Sequence, residues 1–244
     1  METTATSHEG HIFHRFDDEL SRLIALVSEM GELVTDQIRQ VGKAIKKQDP
    51  ERARQVIERE HRVDEIDLEI EQQIHRILAI RQPMARDLRI ILSVNRMSSY
   101  LERCGDQSRL IADMCLRLNT GESVEPQRKL LAAIPRIAKF VNGMVGLSIK
   151  AFEDMDTELA IEVIEMQSDL NEQFDAGIRS MTTYVMEDAR RIGLAVDVVL
   201  ALRSLDRIGS YAESICRQTI FMATGINVRH KTTDKISAEL EAAK

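Results

Sequence analysis

The stretch Tyr100-Leu101-Glu102-Arg103-Cys104-Gly105-Asp106 lies inside a long helical pattern, and its form returns as Ser204-Leu205-Asp206-Arg207-Ile208-Gly209-Ser210. Repetition at a fixed separation is typical of duplicated structural units. We therefore predict that the chain contains two copies of one helical unit. Three pairs share a separation of 104 positions: Arg103 and Arg207, Gly105 and Gly209, and Gly121 and Gly225.

Three helices are predicted in the first copy. Asp49-Pro50 separates the first helix from the second, because proline is tolerated in the first turn of a helix but not in its interior. The second helix ends near Arg81-Gln82-Pro83, and the third runs from Asp87 to Thr120-Gly121. Steps of three and four residues indicate one long helix at the start of the chain, with the apolar residues Phe13, Phe16, Leu20, Leu23, Val27, Met30, Val34, Ile38, Val41 and Ile45.

The second copy contains three further helical patterns. They follow Pro126, the acidic turn at 153–156 and a break before Leu194, and the last ends near Thr224-Gly225. Two offsets relate the second helix of each copy. Asp49, Ala53 and Val56 match Asp156, Ala160 and Val163 at 107 positions, whereas Ile66, Ile70 and Ile74 match Leu170, Phe174 and Ile178 at 104.

The predicted fold is all-α, with two tandem three-helix bundles related by internal duplication and built from six long antiparallel helices, because short connections make neighbouring helices antiparallel. The expected division is a flexible N-terminus at 1–12, a first bundle at 13–121, a second bundle at 122–230 and a polar C-terminal tail at 231–244.

Composition excludes several functional classes. A net charge of −7 and 4% aromatic residues argue against a nucleic-acid surface. The three cysteines form no Cys-x-x-Cys pair, which fits a reducing compartment. We find no secretory leader and no apolar run near the roughly 18 residues of a membrane span. We therefore expect a soluble, cytoplasmic protein without membrane insertion.

Acidic residues of the first copy form a candidate metal site. Glu102 and Asp106 lie one helical turn apart, and Glu60, Asp64 and Asp67 share a face of the preceding helix. Five carboxylates meeting across the bundle would raise one another's pKa unless a cation is present. Oxygen ligands suit Mg²⁺, Mn²⁺ or iron. The alternative is that these acids lie on a solvated face and form salt bridges with Arg59, Arg62 and Arg103.

The second copy is poorer in acids at the matching positions. Ser210 replaces Asp106, while Asp206 keeps the place of Glu102. Asp64 is matched by Ser168 or Asn171, depending on the offset. A second site, with Asp206 and Asp169, is expected to be weak.

Enzymatic motifs are lacking. A ferritin-like di-iron centre needs two Glu-x-x-His helices, and only Glu58 and His61 have this spacing. We see no nucleophile motif and no glycine-rich phosphate loop. We predict a protein that is not an enzyme, with a metal-dependent carboxylate-bundle oxidase or hydrolase as the alternative.

The repeated signature resembles that of the PhoU phosphate-signalling regulators. The resemblance rests on the stretch 101–106, on Arg81-Gln82-Pro83 and Asp87-Leu88-Arg89 before it, and on Met186-Glu187-Asp188 and 203–209 in the second copy. It spans about Phe13 to His230.

This resemblance implies a cytoplasmic adaptor that keeps the phosphate-starvation response off when phosphate is plentiful. Its implied partners are the ATPase subunit of the phosphate ABC transporter and a phosphate-sensing histidine kinase, and a homodimer is plausible. The family's metal motif falls on Glu102 and Asp106, with Asp64 and Asp67 facing it. The implied metal is Mg²⁺, Mn²⁺, iron or Zn²⁺. The second motif lacks its final acid at Ser210.

Overall fold

The described residues of this computed structural model, 5–118, 129–187, 190 and 192–242, form a succession of α-helices. This confirms the predicted all-α fold. The predicted end of the third helix at Gly121 and the boundary between 121 and 122 lie outside the described residues. The helices are α1 (Ala5–Lys47), α2 (Pro50–Arg81), α3 (Ala85–Leu118), α4 (Ala133–Glu153), α5 (Thr157–Glu187), α6 (Ile192–Thr224) and α7 (Thr233–Ala242).

Local sequence signals set the helix boundaries. The Asp49 side chain accepts a hydrogen bond from the Arg52 backbone N–H at 3.0 Å and so caps α2. Asp156 caps α5 in the same way, accepting from the backbone N–H of Leu159 at 3.0 Å. The backbone is helical from Ala5, so α1 begins earlier than the apolar pattern predicted.

The apolar stripe of α1 is buried along its length from Leu20 to Ile45. Helices α1, α2 and α3 contact one another and form the first bundle, and α4, α5 and α6 form the second. The bundles meet along two seams, α1 against α4 and α3 against α6. One continuous cluster of buried side chains runs through both bundles. The two copies therefore share a core.

The two seams are built differently. At the α1–α4 seam, glycines let the helices approach closely: a Cβ added at Gly42 would lie 3.1 Å from Ala138 Cβ. At the α3–α6 seam, Tyr100 and Tyr211 stack with ring centroids 6.1 Å apart. Such aromatic pairs stabilise an interface beyond the area that they bury.

Helix α4, together with the turn before it (Lys129–Glu153), passes the length and composition test for a membrane span. In the structure, its apolar residues include Ile134, Ile137, Val141 and Phe152, which are buried in the shared core. Core packing accounts for the apolar character of this helix.

The polar C-terminal tail, which the sequence leaves unassigned or weakly helical, contains a helix. Helix α7 packs against α5 and buries Ile236 completely. Lys231 and Glu239 form an ion pair at 2.5 Å beside it. With so few apolar residues over ten positions, the helical period was too weak to predict this helix.

A substitution at the α1–α4 seam tests how closely the bundles pack. In Gly31→Ala, the added Cβ would lie 2.6 Å from Ile149 Cγ1, so Ile149 must move. We expect the free energy of unfolding, measured by chemical denaturation, to fall by about 1–3 kcal/mol. Gly146→Ala is the matched control, because an added Cβ there meets nothing within 4 Å. It should raise stability by up to about 1 kcal/mol. Equal stabilities for the two variants would contradict this packing.

Candidate metal site on the first bundle

Helices α2 and α3 bring together the five acids that the sequence singled out in the first bundle. The charges of Asp106 and Asp64 raise the pKa of Glu60 on α2. The charges of Asp106, Asp67 and Asp64 raise the pKa of Glu102 on α3. The five carboxylates therefore form one electrostatically linked group, here called the acid cluster.

Glu60 is the most buried member of the acid cluster, with only 5% of its surface exposed. Burial raises its pKa to about 8, and both a hydrogen bond with Asp106 and the Asp106 charge act in the same direction. The cation of Arg109 opposes them. Such a bond between two carboxyl groups requires a proton on one of them. Around neutral pH, Glu60 is thus held largely protonated.

Glu102 and Asp67 are half-buried, and their pKa values are also raised. Burial is the main cause for Glu102, followed by repulsion from Asp106, Asp67 and Asp64. Burial also dominates at Asp67, where a hydrogen bond from Ser98 acts in the opposite direction. The acid cluster therefore carries less negative charge than its five carboxyl groups would in water. A bound cation would reverse these shifts.

Arg109 is the basic side chain that enters the acid cluster. Its Nε lies 3.1 Å from Glu60 Oε2, and its Nη2 lies 3.5 Å from Asp106 Oδ1. It also lies 3.9 Å from Asp113. Arg109 is not among the predicted site residues, although Asp106, Arg109 and Asp113 follow the spacing of helical ion pairs.

The arginines predicted to form salt bridges with the acid cluster do not form ion pairs with it in the described part of the chain. Arg59 pairs with Asp36 on α1. Arg62 bridges Glu29 and Glu65, at 2.9 Å and 3.1 Å. Arg103 contributes only a favourable charge to Glu102. The salt-bridge alternative therefore depends on Arg109 rather than on Arg59 or Arg62.

Two buried oxygen atoms of this region lack a hydrogen-bond donor. Gln37 is completely buried, and its Oε1 accepts no hydrogen bond. Glu60 Oε2 accepts none either, despite the nearby charge of Arg109. Both side chains face Gly105: a Cβ there would lie 3.3 Å from Gln37 Oε1 and 3.9 Å from Glu60 Oε1. Unsatisfied buried oxygens beside carboxylates are suitable donors for a hard cation.

The donor chemistry thus fits a metal ion on the first bundle. The side chains are not preassembled: across the described ranges, no three His, Cys, Asp or Glu side chains form a group that could hold a metal. Asp64 is exposed, whereas Glu60 is buried. Binding a metal would therefore require side-chain rotation and a change in the contacts of Arg109.

The contacts of the repeated glycines, Gly105 and Gly209, fix the register of the second bundle. A Cβ at Gly105 would lie 3.6 Å from Val63 Cγ1. At Gly209 it would lie 2.1 Å from Leu170 Cδ2 and 3.5 Å from Gln167 Oε1. Leu170 is therefore the counterpart of Val63, and the offset of 107 applies to this part of α5. The match of Leu170 to Ile66 was wrong.

With this register, neutral residues replace most of the acid cluster in the second bundle. Gln167 stands for Glu60 and Asn171 for Asp64, and the Gln167 Nε2 donates to Asn171 Oδ1 at 3.1 Å. Phe174 stands for Asp67, and the guanidinium of Arg203 lies 5.3 Å from its ring centroid. Cation–π contacts of this kind occupy the space with a protein cation.

Asp206 is the remaining acid of the second site. Burial raises its pKa, and the charges of Arg203 and Arg207 oppose that shift. Asp169 lies exposed on α5 and is not among the charges that act on Asp206. These residues do not fit a metal site.

The buried carboxyl of Glu60 predicts a pH dependence of stability. Between about pH 4.5 and pH 8, the native state holds a proton that the unfolded state releases, so stability falls as pH rises. In the presence of a chelator, Glu60→Gln should lose less stability over this range than the natural protein. Gln167 shows that this fold accepts a glutamine at the matching place.

Glu58→Gln is the matched control for this measurement, because Glu58 is exposed on the same helix. Its denaturation curves should follow those of the natural protein at each pH. If Glu60→Gln also followed them, the buried and protonated state of Glu60 would be refuted.

Comparison with known proteins identifies the family. The PhoU domain pattern matches residues 27–115 and 134–219, one match in each bundle. The phosphate-specific transport system accessory protein PhoU homolog of Pseudomonas putida is 33% identical over 232 residues, covering 95% of this chain and 89% of the relative. Its Pseudomonas aeruginosa counterpart is 32% identical over 232 residues, covering 95% and 94%.

Solved structures show the same fold. The crystal structure of PhoU from Pseudomonas aeruginosa has a TM-score of 0.80 at 32% identity, covering 86% of this chain and all of that one. The phosphate transport system regulatory protein PhoU from Streptococcus pneumoniae has a TM-score of 0.77 at 25% identity, covering 87% and 99%. Matches in sequence to both bundles, together with the shared architecture, show that this chain belongs to the PhoU family of phosphate transport accessory proteins.

Proposed function

We propose that this protein is a cytoplasmic adaptor that represses the phosphate-starvation response when phosphate is plentiful. Its partners in this role are the ATPase subunit of a phosphate ABC transporter and a sensor histidine kinase. The observation that carries the proposal is the double PhoU match, which covers both bundles. The accessory role named for the relatives supports it.

A regulatory role without catalytic turnover is consistent with the exposed position of the Glu-x-x-His pair. An enzyme of the ferritin-like class builds its metal centre from side chains that project into the bundle. Here Glu58 and His61 are both exposed on α2. This placement favours the adaptor over the oxidase or hydrolase alternative.

The adaptor carries a metal ion on its first bundle in this proposal. Glu102 and Asp106 on α3 would hold it, together with Glu60, Asp64 and Asp67 on α2. Mg²⁺, Mn²⁺, iron or Zn²⁺ would supply positive charge that joins the two helices through their carboxylates. Arg109 performs part of this task in the metal-free protein, since it lies between Glu60 and Asp106. The second bundle takes no metal.

The proposal predicts the behaviour of cells that lack their own copy of this gene. In phosphate-rich medium, the natural gene should restore repression of a phosphate-starvation promoter fused to a reporter. Glu102→Gln/Asp106→Asn should restore it poorly, since two metal ligands are lost. Asp206→Asn is the matched control, because Asp206 occupies the corresponding position on the second bundle, and it should restore repression fully.

Immunoblotting establishes that all variants accumulate equally. Failure of the natural gene to restore repression would refute the regulatory role. Full repression by the Glu102→Gln/Asp106→Asn variant would refute the role of the metal site while leaving the adaptor intact.

A further inference from the structure

A groove of about 950 Å³ runs along the α1–α4 seam, at the end where α1 finishes and α4 begins. Its sides are formed by α1 from Ile38 to Gln48 and by α4 from Leu131 to Asn142. Asn142 also lines a smaller recess of about 350 Å³, which continues along the seam at Gly146. From Leu131 to Gly146, the groove follows α4 for about 22 Å, or about four helical turns. We call this surface the basic groove.

Five cations of the basic groove form no ion pair with the described residues. They are Lys43, Lys46 and Lys47 on α1, and Arg136 and Lys139 on α4. All five are exposed, and no acid is among the described residues that line the groove of 950 Å³ beside them. On a chain with a net charge of −7, this concentration of positive charge is a local exception. It favours an anionic partner.

The dipoles of the two helices account for only part of this charge. Lys46 and Lys47 lie in the last turn of α1, where the negative end of the helix favours cations. Arg136 lies near the start of α4, where the positive end of the helix disfavours a cation. A partner that brings acidic side chains to the groove would offset this repulsion.

Gly146 supplies an independent observation. Glycine inside a helix lowers its stability relative to alanine. Gly42 has a packing reason within the chain, because an added Cβ would lie 3.1 Å from Ala138 Cβ. A Cβ at Gly146 would meet nothing within 4 Å among the described residues. The close approach of another molecule would explain a glycine at this place.

The shape of the basic groove fits a helix. Because its cationic side chains are exposed, it is open along its length, unlike an enclosed pocket for a small molecule. An amphipathic helix can lay its apolar face in such a groove between two helices. None of the large, exposed apolar side chains in the described ranges lines it, so none there could insert into a bilayer. A helix is therefore favoured over a membrane surface.

The two ends of the groove differ in charge. Beyond Asn142, the recess is lined by Glu32 and Glu153 as well as by Lys150. Like charges that face each other across an interface are unfavourable. A helix that fits the whole groove would therefore have its acids over the cationic end and neutral residues over the recess.

We propose that the basic groove binds an amphipathic helix of a partner protein. Acidic residues of that helix lie over Lys43 and Lys139, and its apolar side chains lie against Pro135 and Gly146. The inference goes beyond the proposed adaptor role, and its binding test requires neither the transporter nor the kinase.

Fluorescence anisotropy of a labelled synthetic peptide, titrated with the full chain, tests the proposal. The probe is a stapled helix of about 16 residues, which matches the length of the groove. Leucines follow one face, and glutamates flank them in the N-terminal half only. The peptide should bind at one site per chain, and its affinity should fall as the salt concentration rises.

A second peptide, with lysine in place of each glutamate, is the control for charge. It should bind at least about tenfold more weakly than the acidic peptide. Absence of binding by the acidic peptide, or equal binding of the two peptides, would overturn the proposal.

Charge reversal locates the site. Lys43→Glu/Lys139→Glu should weaken binding of the acidic peptide at least about tenfold, because acids then face acids. Arg179→Glu/Lys235→Glu is the matched control, since it changes the net charge equally at exposed positions on α5 and α7. Its affinity for the peptide should be unchanged. An equal loss in the two double variants would show a general charge effect and overturn the assignment.

Filling the groove tests its shape. Gly146→Leu places a large side chain in open space and should weaken peptide binding at least about tenfold. Its stability to urea should not fall, because leucine is the better helix former. Gly193→Leu is the matched control, because an added Cβ there also meets nothing within 4 Å, and Gly193 lies at the start of α6. Unchanged peptide binding by Gly146→Leu, or an equal loss in both variants, would refute the proposed placement of the helix.

Two further measurements detect other occupants. Sedimentation velocity would reveal self-association of the chain that the peptide reverses, in which case a second copy fills the groove. Flotation with phosphatidylglycerol vesicles that is lost in Lys43→Glu/Lys139→Glu would show an anionic lipid surface instead. Either result would overturn the assignment to a partner helix.

Discussion

The acid cluster depends on the packing of α2 against α3 around Gly105. A Cβ added there would make a tight contact of 3.3 Å with Gln37 Oε1 of α1 and an ordinary contact of 3.9 Å with Glu60 Oε1 of α2. Burial raises the pKa of Glu60, and the charge of Asp106 acts in the same direction. A protonated pair is one answer to crowded carboxylates, and a bound cation is another. In the proposed adaptor, a proton on Glu60, the cation of Arg109 and a bound metal ion are alternative ways to offset the crowded carboxylates.

Comparison of the two copies distinguishes the residues that the fold requires from those that the acid cluster requires. The second bundle keeps the close approach, where Gly209 lies against Leu170. It replaces the acids around that glycine with an amide pair, Gln167 and Asn171. Because the second bundle folds with neutral side chains at most of these positions, the fold itself does not require acids there. In the proposed function, their presence beside the buried, unsatisfied Oε1 of Gln37 is attributed to a bound cation.

The sequence predicted those features that a strong local pattern determines. The stripe of α1, the break at Asp49-Pro50 and the convergence of the five acids all follow from helical periodicity and capping. It left the register of α5 open, because a shift of three residues turns a helix by almost a full turn and keeps the apolar face in place. The contact at Gly209 decided it.

Arg109 and Gln37 were missed for a different reason. Both are polar residues whose role depends on which helices meet, and Gln37 interrupts an otherwise apolar face of α1 without any motif around it. Helix α7 was left unassigned or weakly helical because a short helix takes its stability from docking, here through Ile236. Tertiary contacts, rather than local pattern, determine all three.

Anomalous X-ray diffraction from crystals grown with Mn²⁺ would show which bundle holds a metal ion. We expect one strong anomalous peak on the first bundle, beside Glu102 and Asp106, with Arg109 turned away from Glu60 and no peak at Asp206. Peaks of equal height on both bundles would contradict the asymmetry between the copies. A structure without Mn²⁺, in which Arg109 still lies between Glu60 and Asp106, would show that the arginine alone balances the acid cluster.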